Sequence, residues 1–485
     1  MRPSLSIREK DRDLLKTILK FADKRRARLY IVGGYLRDIF LNRERGNPDI
    51  DFSLRRGAIG FGRKLAAEIK SGFVVLDKER GACRLVKRMA QAVYTFDFTD
   101  FRGKDLDEDL RYRDFSVNAM CVELAEVFKE RDLEPLLIDP YGGKRDLKAK
   151  LIRMVDPRAF DDDPLRILRA FSFSCLLGFK IDALTLKSIK SKKDKLSEVS
   201  FERIRDELFK ILDSPAAFNY LREMDRLRIL KIIFPEFEVM RNVRQGPYHH
   251  LDVWQHTLET VRQLEKVITE LKRDRHIQGY LAEVISGDRR RRSLIKLGAL
   301  LHDIGKPRAK RREEGKTKFH GHERIGLEFV EIIAKRLKLS NDELDALNKM
   351  VLWHLRPGYL ADNRQITSRA QFRYFRDTAS EALSVLLLSM ADQRATKGRL
   401  TSRASRLRHE KVAVNLIKEY FKKLKEKKLP RLINGNDLIN KFKLQPSPLI
   451  GKILSEVEEL QAIGRIKTKA QALGISRKIL SRKKP

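Results

Sequence analysis

Hydrophobic and polar positions follow two different patterns along the chain. The first 150 residues contain short apolar runs interrupted by turn residues, which is typical of strands. The predicted strands span residues 29–32, 49–54, 73–76, 92–98 and 137–139. Helical periodicity is found at residues 11–27 and again at residues 35–41. From Asp161 onward helical periodicity dominates, with turns predicted at residues 214–215, 246–247, 356–358 and 445–446.

These patterns predict an α+β, mostly α chain, in which a small head with a mixed sheet precedes a long helical region. A length of 485 residues exceeds what one ordinary core accommodates, so several domains are expected. The predicted division is a head at residues 1–150, a helical neck at 151–240, a second helical domain at 241–395 and a basic helical tail at 396–485.

Composition narrows the class of protein. Apolar residues make up 42% of the chain, which is enough to form cores. No apolar run approaches the roughly 18 residues that would span a bilayer, and the first residues do not resemble a signal peptide. The three cysteines match no metal or disulfide framework. We therefore expect a cytoplasmic protein that does not bind a membrane, while the sequence leaves its oligomeric state open.

The formal net charge of +37 indicates an anionic partner. From Thr396 to Pro485 there are 24 Lys and Arg against 7 Asp and Glu, so this segment alone carries a net charge of +17. Because the segment also reads as amphipathic helices, it predicts a basic platform for nucleic acid. A membrane surface and a merely solvated basic surface are the alternatives.

A pair of carboxylates is the strongest chemical signal in the head. Asp49 and Asp51 alternate on a predicted strand, so both side chains face the same side. Two like charges held together are costly unless a cation lies between them, and Mg²⁺ prefers such oxygens. Asp97, on a later strand, is the candidate third carboxylate. Two magnesium ions at this site would activate an attacking hydroxyl and stabilise a leaving pyrophosphate.

Gly33 and Gly34 join a strand to a helix that carries Arg37. Glycines at such a joint let backbone N–H groups approach an anion. Further along, Asp163 and Arg166 are three residues apart, a spacing that predicts a shared helix face, and Arg169 follows one turn later. An acceptor beside a donor can read a base edge, although an ordinary salt bridge has the same spacing.

Together these segments resemble the class II tRNA nucleotidyltransferases (CCA-adding enzymes) and the bacterial poly(A) polymerases. The resemblance implies a polymerase-β-like head that acts on tRNA with CTP and ATP, two Mg²⁺ ions at Asp49 and Asp51, and Asp97 as a further catalytic carboxylate. It also implies that the incoming nucleotide is bound by Gly33, Gly34, Arg37, Arg113, Asp114, Asn118, Asp163, Arg166 and Arg169. The same family similarity continues through Asp38, Phe115, residues 139–143, residues 202–204 and Glu207.

Three positions depart from the pattern of that family. Tyr112 replaces the first arginine of an Arg-Arg pair, and Asp162 replaces a glutamate. Residues 103–108 form a much shorter segment than the flexible loop of typical CCA-adding members. A short loop resembles that of specialised CC-adding members, so we predict efficient addition of C and poor addition of the terminal A.

A second ordered set of residues lies in the helical region. Its members are imidazoles and carboxylates, a combination that suits Mn²⁺, Ni²⁺ or Fe²⁺ and also accommodates Mg²⁺. They are His256, His302, Asp303, His322, His354 and Asp392. The set resembles the HD superfamily of metal-dependent phosphohydrolases. This resemblance implies hydrolysis of phosphate esters, for instance trimming of 2′,3′-cyclic or 3′-phosphate RNA ends.

Three alternatives remain open at the level of the sequence. A poly(A) polymerase acting on diverse RNAs would share the head motifs. An HD phosphohydrolase with an RNA-binding head is disfavoured by the complete set of head motifs. A non-catalytic RNA-binding protein is suggested by the charge alone.

Overall fold

The structure is a computed structural model that describes residues 6–44, 46–90, 92–130, 132–363, 365–426 and 430–481. It separates into two compact units, Met1–Ile211 and Leu212–Pro485. None of the described helices is both long and apolar enough to cross a membrane. The predicted division into four domains remains a prediction.

The first unit contains a mixed sheet and a set of mostly short helices. Its helices are α1 Glu9–Asp23, α2 Gly34–Phe40, α3 Ala58–Ile69, α4 Leu106–Arg111, α5 Gly143–Ala149, α6 Ala159–Asp162, α7 Arg166–Leu177, α8 Ala183–Lys192 and α9 Phe201–Asp213. Its strands are β1 Tyr30–Val32, β2 Asp49–Leu54, β3 Gly72–Asp77, β4 Ala82–Arg88, β5 Val93–Asp100, β6 Cys121–Glu123, β7 Leu151–Ile152 and β8 Lys180–Ile181. Short 3-10 helices span Ser116–Asn118, Glu126–Phe128 and Lys193–Glu198.

Six strands form the main sheet, in the order β3-β4-β5-β2-β1-β6. The β2–β5 pair is parallel and the other four pairs are antiparallel. The sheet is therefore mixed, as the sequence predicts. The predicted strand at residues 137–139 is wrong, because only Ile138 makes an isolated bridge, to Cys121. The neighbouring residues are turn residues that return the chain toward α5.

Side-chain alternation on β2 separates the core from the site. Ile50 and Phe52 are fully buried in the apolar cluster that α1, α2 and α3 share with the sheet. The rings of Phe52 and Phe98 stack in this cluster with centroids 4.8 Å apart. The intervening residues Asp49 and Asp51 consequently face the opposite side of the sheet.

The second unit is almost entirely helical. Its helices are α10 Ala217–Arg226, α11 Ile229–Ile233, α12 Val253–Glu270, α13 Arg275–Ala282, α14 Arg291–Leu301, α15 Lys306–Ala309, α16 His322–Arg336, α17 Asn341–Trp353, α18 Arg356–Ala361, α19 Ser368–Thr378, α20 Ala382–Ala395, α21 Arg403–Lys425, α22 Gly435–Phe442, α23 Pro448–Ala462 and α24 Lys469–Ser481. Two small hairpins are formed by β9 Val284–Ser286 with β10 Arg289–Arg290, and by β11 Arg311–Glu313 with β12 Lys316–Lys318. Further 3-10 helices span Pro235–Met240 and Ala379–Glu381.

Helix α20 lies at the centre of this unit. It is buried around most of its circumference, as expected of a helix packed on several sides, and it contacts α12, α14, α17 and α21. The predicted turn at residues 356–358 is wrong, because Pro357 occupies the first turn of α18, where its missing N–H costs nothing. The tail helices α22, α23 and α24 share a smaller apolar cluster of their own. Lys427, Lys428 and residues 482–485 of the predicted basic tail lie outside the described residues.

Candidate active site and metal centre

Three carboxylates of the head converge on one face of the sheet. Asp51 on β2 is paired in register with Asp97 on β5, and Asp49 lies two residues before Asp51. One carboxylate oxygen from each of the three residues lies within 4.8 Å of the others. The parallel register thus brings together the three side chains that the sequence singled out, and the group could hold a metal ion.

The charge of Asp51 is unfavourable in the absence of a cation. Burial, together with the nearby carboxylates of Asp49 and Asp97, raises the pKa of Asp51 to about 6, although Arg113 opposes this increase. A divalent cation would remove this penalty, because it would replace the repulsion among three carboxylates with attraction. The donor set consists of oxygens alone, which fits a hard cation.

Arg84 is a member of the site that the sequence analysis missed. Its Nε and Nη2 donate to Oδ1 and Oδ2 of Asp97, both at 2.7 Å, in a bidentate ion pair. Arg84 lies on β4, directly opposite Asp97 in the antiparallel register. Strand β4 was not predicted, because its sequence ACRLVKR alternates poorly between apolar and polar residues.

Gly33 forms the other wall of the carboxylate site. Its φ of +73° is a conformation that L side chains rarely adopt. A Cβ at this position would lie 3.1 Å from Nη1 of Arg113 and 3.2 Å from Oδ2 of Asp51. The lack of a side chain at Gly33 therefore allows Asp51 and Arg113 to lie close to the backbone at this joint, and the predicted binding of an anion here remains a prediction. At Gly34 a Cβ would instead approach Arg37 at 3.4 Å.

Arg113 is held beside Gly33 and Asp51 by two residues that the sequence analysis missed. Its Nη2 donates to Oγ of Ser53 at 3.1 Å, and Ser53 in turn donates to Oδ2 of Asp109 at 3.0 Å. Ser53 and Asp109 are both buried. The Nε of Arg113 is buried without a hydrogen-bond partner. The guanidinium thus retains donor capacity next to the carboxylates.

Four of the predicted nucleotide-binding residues, Arg37, Asp114, Asn118 and Arg169, form one hydrogen-bonded network, in which the first three are buried and the side chain of Arg169 is 32% exposed. Arg37 is only 1% exposed and donates to Oδ1 of Asn118 at 2.7 Å. Asn118 donates to Asp114, which also accepts both Nε and Nη2 of Arg169. Burial by itself would raise the pKa of Asp114, but Arg169 and Asn118 outweigh it and lower that pKa to about 2.

The predicted helix face shared by Asp163 and Arg166 is wrong. Asp163 has extended backbone dihedrals and follows the short helix α6, whereas Arg166 begins α7. Pro164 separates them, and the residue before a proline is disfavoured in helical conformation. Asp163 accepts from Arg203 at 2.8 Å. Arg166 is buried and donates to the carbonyl of Arg113 at 3.3 Å and to that of Tyr112.

The six predicted residues of the second set also come together. Their donor atoms fall into two groups, each within 4.8 Å: His256, His302 and Asp392, and Asp303, His322 and His354. His302 and Asp303 lie immediately after α14 rather than within it. All of these side chains are buried except that of Asp392, which is 17% exposed.

Hydrogen bonds to the backbone fix the orientation of three of these imidazoles. Nδ1 of His302, His322 and His354 lies 2.7–2.8 Å from the carbonyl oxygens of Ala299, Phe319 and Val351, respectively. A carbonyl cannot donate, so Nδ1 must carry the proton and each Nε2 presents a lone pair to the centre. Histidines that bind a metal are usually oriented in this way, by a hydrogen bond from the ring nitrogen that does not contact the metal.

Two further contacts in the centre suit a bound cation. Nε2 of His322 and Nε2 of His354 lie 3.4 Å apart, so two lone pairs face each other. Nε2 of His302 is fully buried without a hydrogen-bond partner, although it lies 3.2 Å from Oδ2 of Asp303. These contacts are unfavourable between neutral imidazoles alone and favourable around a cation. The residues present therefore fit a divalent metal.

Comparison with known proteins identifies three family regions in the chain. The poly A polymerase head domain matches residues 29–153. The probable RNA- and SrmB-binding site of polymerase A matches residues 178–240, and the HD domain matches residues 253–396. The first of these regions contains the carboxylate site, and the third contains the histidine centre.

Similar proteins cover nearly the whole chain. An A-adding tRNA nucleotidyltransferase of Deinococcus radiodurans is 31% identical over 452 residues, covering 91% of this chain and 93% of its own. A CC-adding tRNA nucleotidyltransferase of Thermus thermophilus is 28% identical and covers 91% of each chain. A third, from Geobacter sulfurreducens, is also CC-adding and 28% identical, covering 91% of this chain and 90% of its own.

Solved structures of similar fold also cover nearly the whole chain. The Thermotoga maritima CCA-adding enzyme complexed with tRNA has a TM-score of 0.62 at 21% identity, and 99% of each chain is covered. A CCA-adding enzyme in complex with CTP has a TM-score of 0.65 at 22% identity, covering 99% of this chain and 97% of its own. On the strength of the full-length sequence similarity, this chain is a member of the tRNA nucleotidyltransferase and poly(A) polymerase family and carries an HD domain.

Proposed function

We propose that this enzyme adds nucleotides from CTP and ATP to the 3′ end of tRNA without a template. The observation that carries the proposal is the convergence of Asp49, Asp51 and Asp97 on one face of the sheet, with the backbone of Gly33 close to Asp51. The choice of tRNA is supported by the names of the full-length relatives. The net charge of +37 also favours an RNA substrate.

Magnesium is the cation that best suits the head, because all three donors are carboxylate oxygens. Asp49, Asp51 and Asp97 would hold it. When bound, Mg²⁺ supplies Lewis-acid activation of the terminal hydroxyl of the RNA and neutralises the charge on the triphosphate. The Gly33 backbone allows the triphosphate to approach, and Arg113 donates to it through groups that Ser53 does not occupy.

The network around Asp114 has a different role in this proposal. Arg37, Asn118 and Asp114 are buried and hydrogen-bonded in series inside the head, so they position the elements around the site instead of contacting the nucleotide. Arg169 anchors Asp114 from a partly exposed position. Base selection is assigned to Asp163, whose side chain is 28% exposed, together with Arg166, as the family resemblance implies. Replacing either with alanine should change the ratio of kcat/KM for CTP and ATP while leaving Mn²⁺ binding by the carboxylates intact.

Extension assays test the main proposal. Purified enzyme is incubated with CTP or ATP, singly and together, and with tRNA that ends at the discriminator base, at C or at CC. We expect Mg²⁺-dependent incorporation that is lost when Asp49 and Asp51 are both changed to alanine. Normal extension by that double variant would refute the proposal. Efficient ATP addition to unrelated RNAs without CTP incorporation would instead favour a poly(A) polymerase.

The segment between β5 and α4 bears on which nucleotide is added. It is short, and three hydrogen bonds fix it: Arg102 N to Asp109 at 3.1 Å, Lys104 N to Glu108 at 2.8 Å and Glu108 N to Asp105 at 2.9 Å. A fixed loop cannot readily reshape the nucleotide pocket between C and A. This favours a specialised enzyme, and we propose that it adds C efficiently and terminal A poorly. Complete CCA synthesis, or addition of A alone to tRNA ending in CC, would contradict this restriction.

We propose a second activity for the histidine centre, namely metal-dependent hydrolysis of phosphate esters at RNA ends. The lone pairs of His302, His322 and His354 that face the centre favour it, because they form a ready set of ligands for Mn²⁺, Ni²⁺, Fe²⁺ or Mg²⁺. When bound, the metal would lower the pKa of a water molecule near the ester, which makes that water a better nucleophile. Trimming of 2′,3′-cyclic or 3′-phosphate ends would leave the hydroxyl that the head extends.

Changing His302 and Asp303 to alanine tests this second activity. The variant should lose metal-stimulated hydrolysis of a 2′,3′-cyclic phosphate RNA end and retain nucleotide addition. If it hydrolyses the ester at the normal rate, the proposal fails. If nucleotide addition is lost as well, the two residues have a structural role.

A further inference from the structure

A charged cleft lies between α19 and α23 within the second unit. Three arginines of α19 recur at intervals of four and three residues, which places them on one face of the helix: Arg369, Arg373 and Arg376. Trp353 at the end of α17 and Arg356 at the start of α18 form a further wall of the cleft. The cleft has a volume of about 430 Å³, within the range of roughly 300–1,000 Å³ that pockets for small ligands occupy.

The facing side of α23 carries polar groups that the arginines of α19 contact. Glu459 is buried and accepts hydrogen bonds from Arg369 and from Nε of Arg373, the latter at 2.7 Å. Nη1 of Arg376 donates to Oγ of Ser455 at 3.0 Å and lies 3.8 Å from Oε2 of Glu459. Burial by itself would raise the pKa of Glu459, but the hydrogen bonds from Arg373 and Arg369 outweigh it and lower that pKa. Glu459 is therefore charged at neutral pH.

The wall formed by α17 and α18 combines an aromatic ring with an ion pair. The guanidinium of Arg356 lies over the ring of Trp353, 4.7 Å from its centroid. Asp377 accepts from Nη1 of Arg356 at 2.6 Å and from Nε of Arg376 at 2.8 Å. Trp353 is partly exposed, so a flat ring and a flat cation are both available at this wall. Nucleobases stack on such groups.

Positive charges outnumber negative charges around the cleft. The basic side chains are Arg356, Arg369, Arg373, Arg376 and Lys452, and the acidic ones are Asp377, Glu456 and Glu459. Five positive charges against three negative charges leave an excess of two. Lys452 makes no hydrogen bond or ion pair with any described residue, and the two Nη groups of Arg373 donate to none of them. These donors remain available to a ligand.

Stabilisation of the fold does not account for this arrangement. The three arginines of α19 are between 34% and 46% exposed. Ion pairs that are this exposed to water contribute only about 0–1 kcal/mol each. An excess of like charge within one cleft is unfavourable unless an anion neutralises it. The cluster is therefore better suited to an anionic ligand than to holding two helices together.

We propose that this cleft binds a mononucleotide through its terminal phosphate. A phosphate monoester carries a charge of about −1.5 to −2 at pH 7, which matches the excess of positive charge. The Nη groups of Arg373 and Nζ of Lys452 would bind the phosphate oxygens, because guanidinium and ammonium groups both donate to phosphate. The base would stack beside Trp353. A phosphodiester of an RNA backbone carries a single charge and would neutralise only half of the excess.

Tryptophan fluorescence tests this binding without any assay of activity. The chain contains two tryptophans, and Trp254 is fully buried, so a ligand in the cleft should change mainly the emission of Trp353. The full chain is stripped of metal ions with chelator and titrated with AMP, inorganic phosphate and adenosine. We expect saturable quenching by AMP, a response to inorganic phosphate only at higher concentration, and no response to adenosine in the range where AMP saturates.

Two variants locate the phosphate, and a third locates the signal. Arg373→Gln combined with Lys452→Gln should weaken AMP binding by about tenfold or more. Lys452→Glu disturbs no described contact, so it should weaken binding without affecting the fold, and it keeps the test valid if the double variant does not fold. Trp353→Phe should remove the response. Arg226→Gln is the matched control, since Arg226 forms an exposed ion pair with Glu223 elsewhere in the same unit and should leave AMP affinity unchanged.

Three results would overturn the proposed ligand. The first is the lack of a saturable response to AMP, or an equal response to adenosine. The second is unchanged AMP affinity in both Lys452→Glu and the double variant, or a response that persists in Trp353→Phe. The third is quenching by tRNA but not by AMP, which would make the cleft a contact for the RNA backbone. The cleft contains none of the residues assigned to the two activities proposed above, so these results are independent of both activities.

Discussion

At the scale of single residues, the free-energy cost of holding charged carboxylates in the head site falls mainly on Asp51. Burial and the neighbouring carboxylates raise the pKa of Asp51 to about 6, above the value of an exposed aspartate. The folded protein therefore binds a proton at the Asp51 carboxylate more tightly than the unfolded chain does. As the pH rises through the interval between the two pKa values, the folded state loses stability, and the penalty is complete above pH 6.

We predict that Asp51→Asn stabilises the metal-free protein while abolishing nucleotide addition. The gain should be close to zero at pH 4 and reach at most about 3 kcal/mol at pH 7, because asparagine carries no charge to desolvate. Calorimetric unfolding in chelator at several pH values checks this result. Added Mg²⁺ should raise the Tm of the unmodified chain more than that of the variant. A variant destabilised equally at every pH would contradict the prediction.

Arg84 places a positive charge beside the carboxylates, where it competes with a cation for Asp97. We predict that Arg84→Gln tightens binding of Mn²⁺ to the head by about threefold to tenfold, which corresponds to roughly 1 kcal/mol for a partly exposed ion pair. A Mn²⁺ titration of the variant measures the change. Arg84→Lys, which retains the charge, is the control and should bind Mn²⁺ nearly as the unmodified chain does. Weaker binding by the glutamine variant would show that Arg84 mainly positions Asp97.

At the scale of elements, strand register and helix contact decide which residues meet. The head site depends on the pairing of β2 with β5, which sets Asp51 beside Asp97. The histidine centre depends on a close approach between the start of α15 and α16. A Cβ at Gly305 would lie 2.1 Å from the carbonyl oxygen of His322 and 2.7 Å from the backbone nitrogen of Gly326. Only a residue without a side chain fits there.

We predict that Gly305→Ala destabilises the second unit by about 2–4 kcal/mol, because backbone atoms have to move to admit the methyl group. The same movement displaces His322 from Asp303 and should weaken Mn²⁺ binding at the centre. Denaturant unfolding and Mn²⁺ titration check the two effects. Gly279→Ala is the matched control, since an added Cβ meets nothing within 4 Å in the exposed part of α13. Its stability should be unchanged or slightly higher.

At the scale of the whole molecule, the excess of positive charge governs binding of RNA. Described tail residues with exposed basic side chains include Lys441, Lys443, Arg465 and Lys467. They are held on helices and loops that share their own apolar cluster, so their charges are displayed on an ordered surface. Contacts between such residues and phosphates release counterions, which makes affinity depend on salt.

We predict that changing these four tail residues to glutamine weakens tRNA binding and lowers the slope of log Kd against log salt by up to about 3. Nucleotide incorporation at saturating tRNA should be unaffected, because the chemistry lies in the other unit. Removing four charges near the β11–β12 hairpin, at Lys310, Arg311, Arg312 and Lys316, is the matched control. An equal loss of affinity in both variants would indicate that net charge, rather than the tail surface, binds the tRNA.

Local pattern was sufficient for much of the fold and for the direction of the two carboxylates on β2. The alternation Asp49-Ile50-Asp51 determines that both carboxylates face away from the core, because successive side chains of any strand point to opposite faces. The spacing of apolar residues at helical period likewise predicts the long helical region from Asp161 onward. These features depend on neighbours within a few residues, so one sequence suffices to read them.

Only the tertiary structure decided which distant residues meet. Arg84 pairs with Asp97 because β4 lies beside β5, Asp163 leaves the helix of Arg166 at Pro164, and Arg37 is enclosed with Asn118. The position of Asp303 between two pairs of histidines likewise depends on how α12, α14, α16 and α17 pack. The sequence determines the chemistry of each side chain and its local direction, whereas the distance between two side chains far apart in the chain is set by strand register and helix packing.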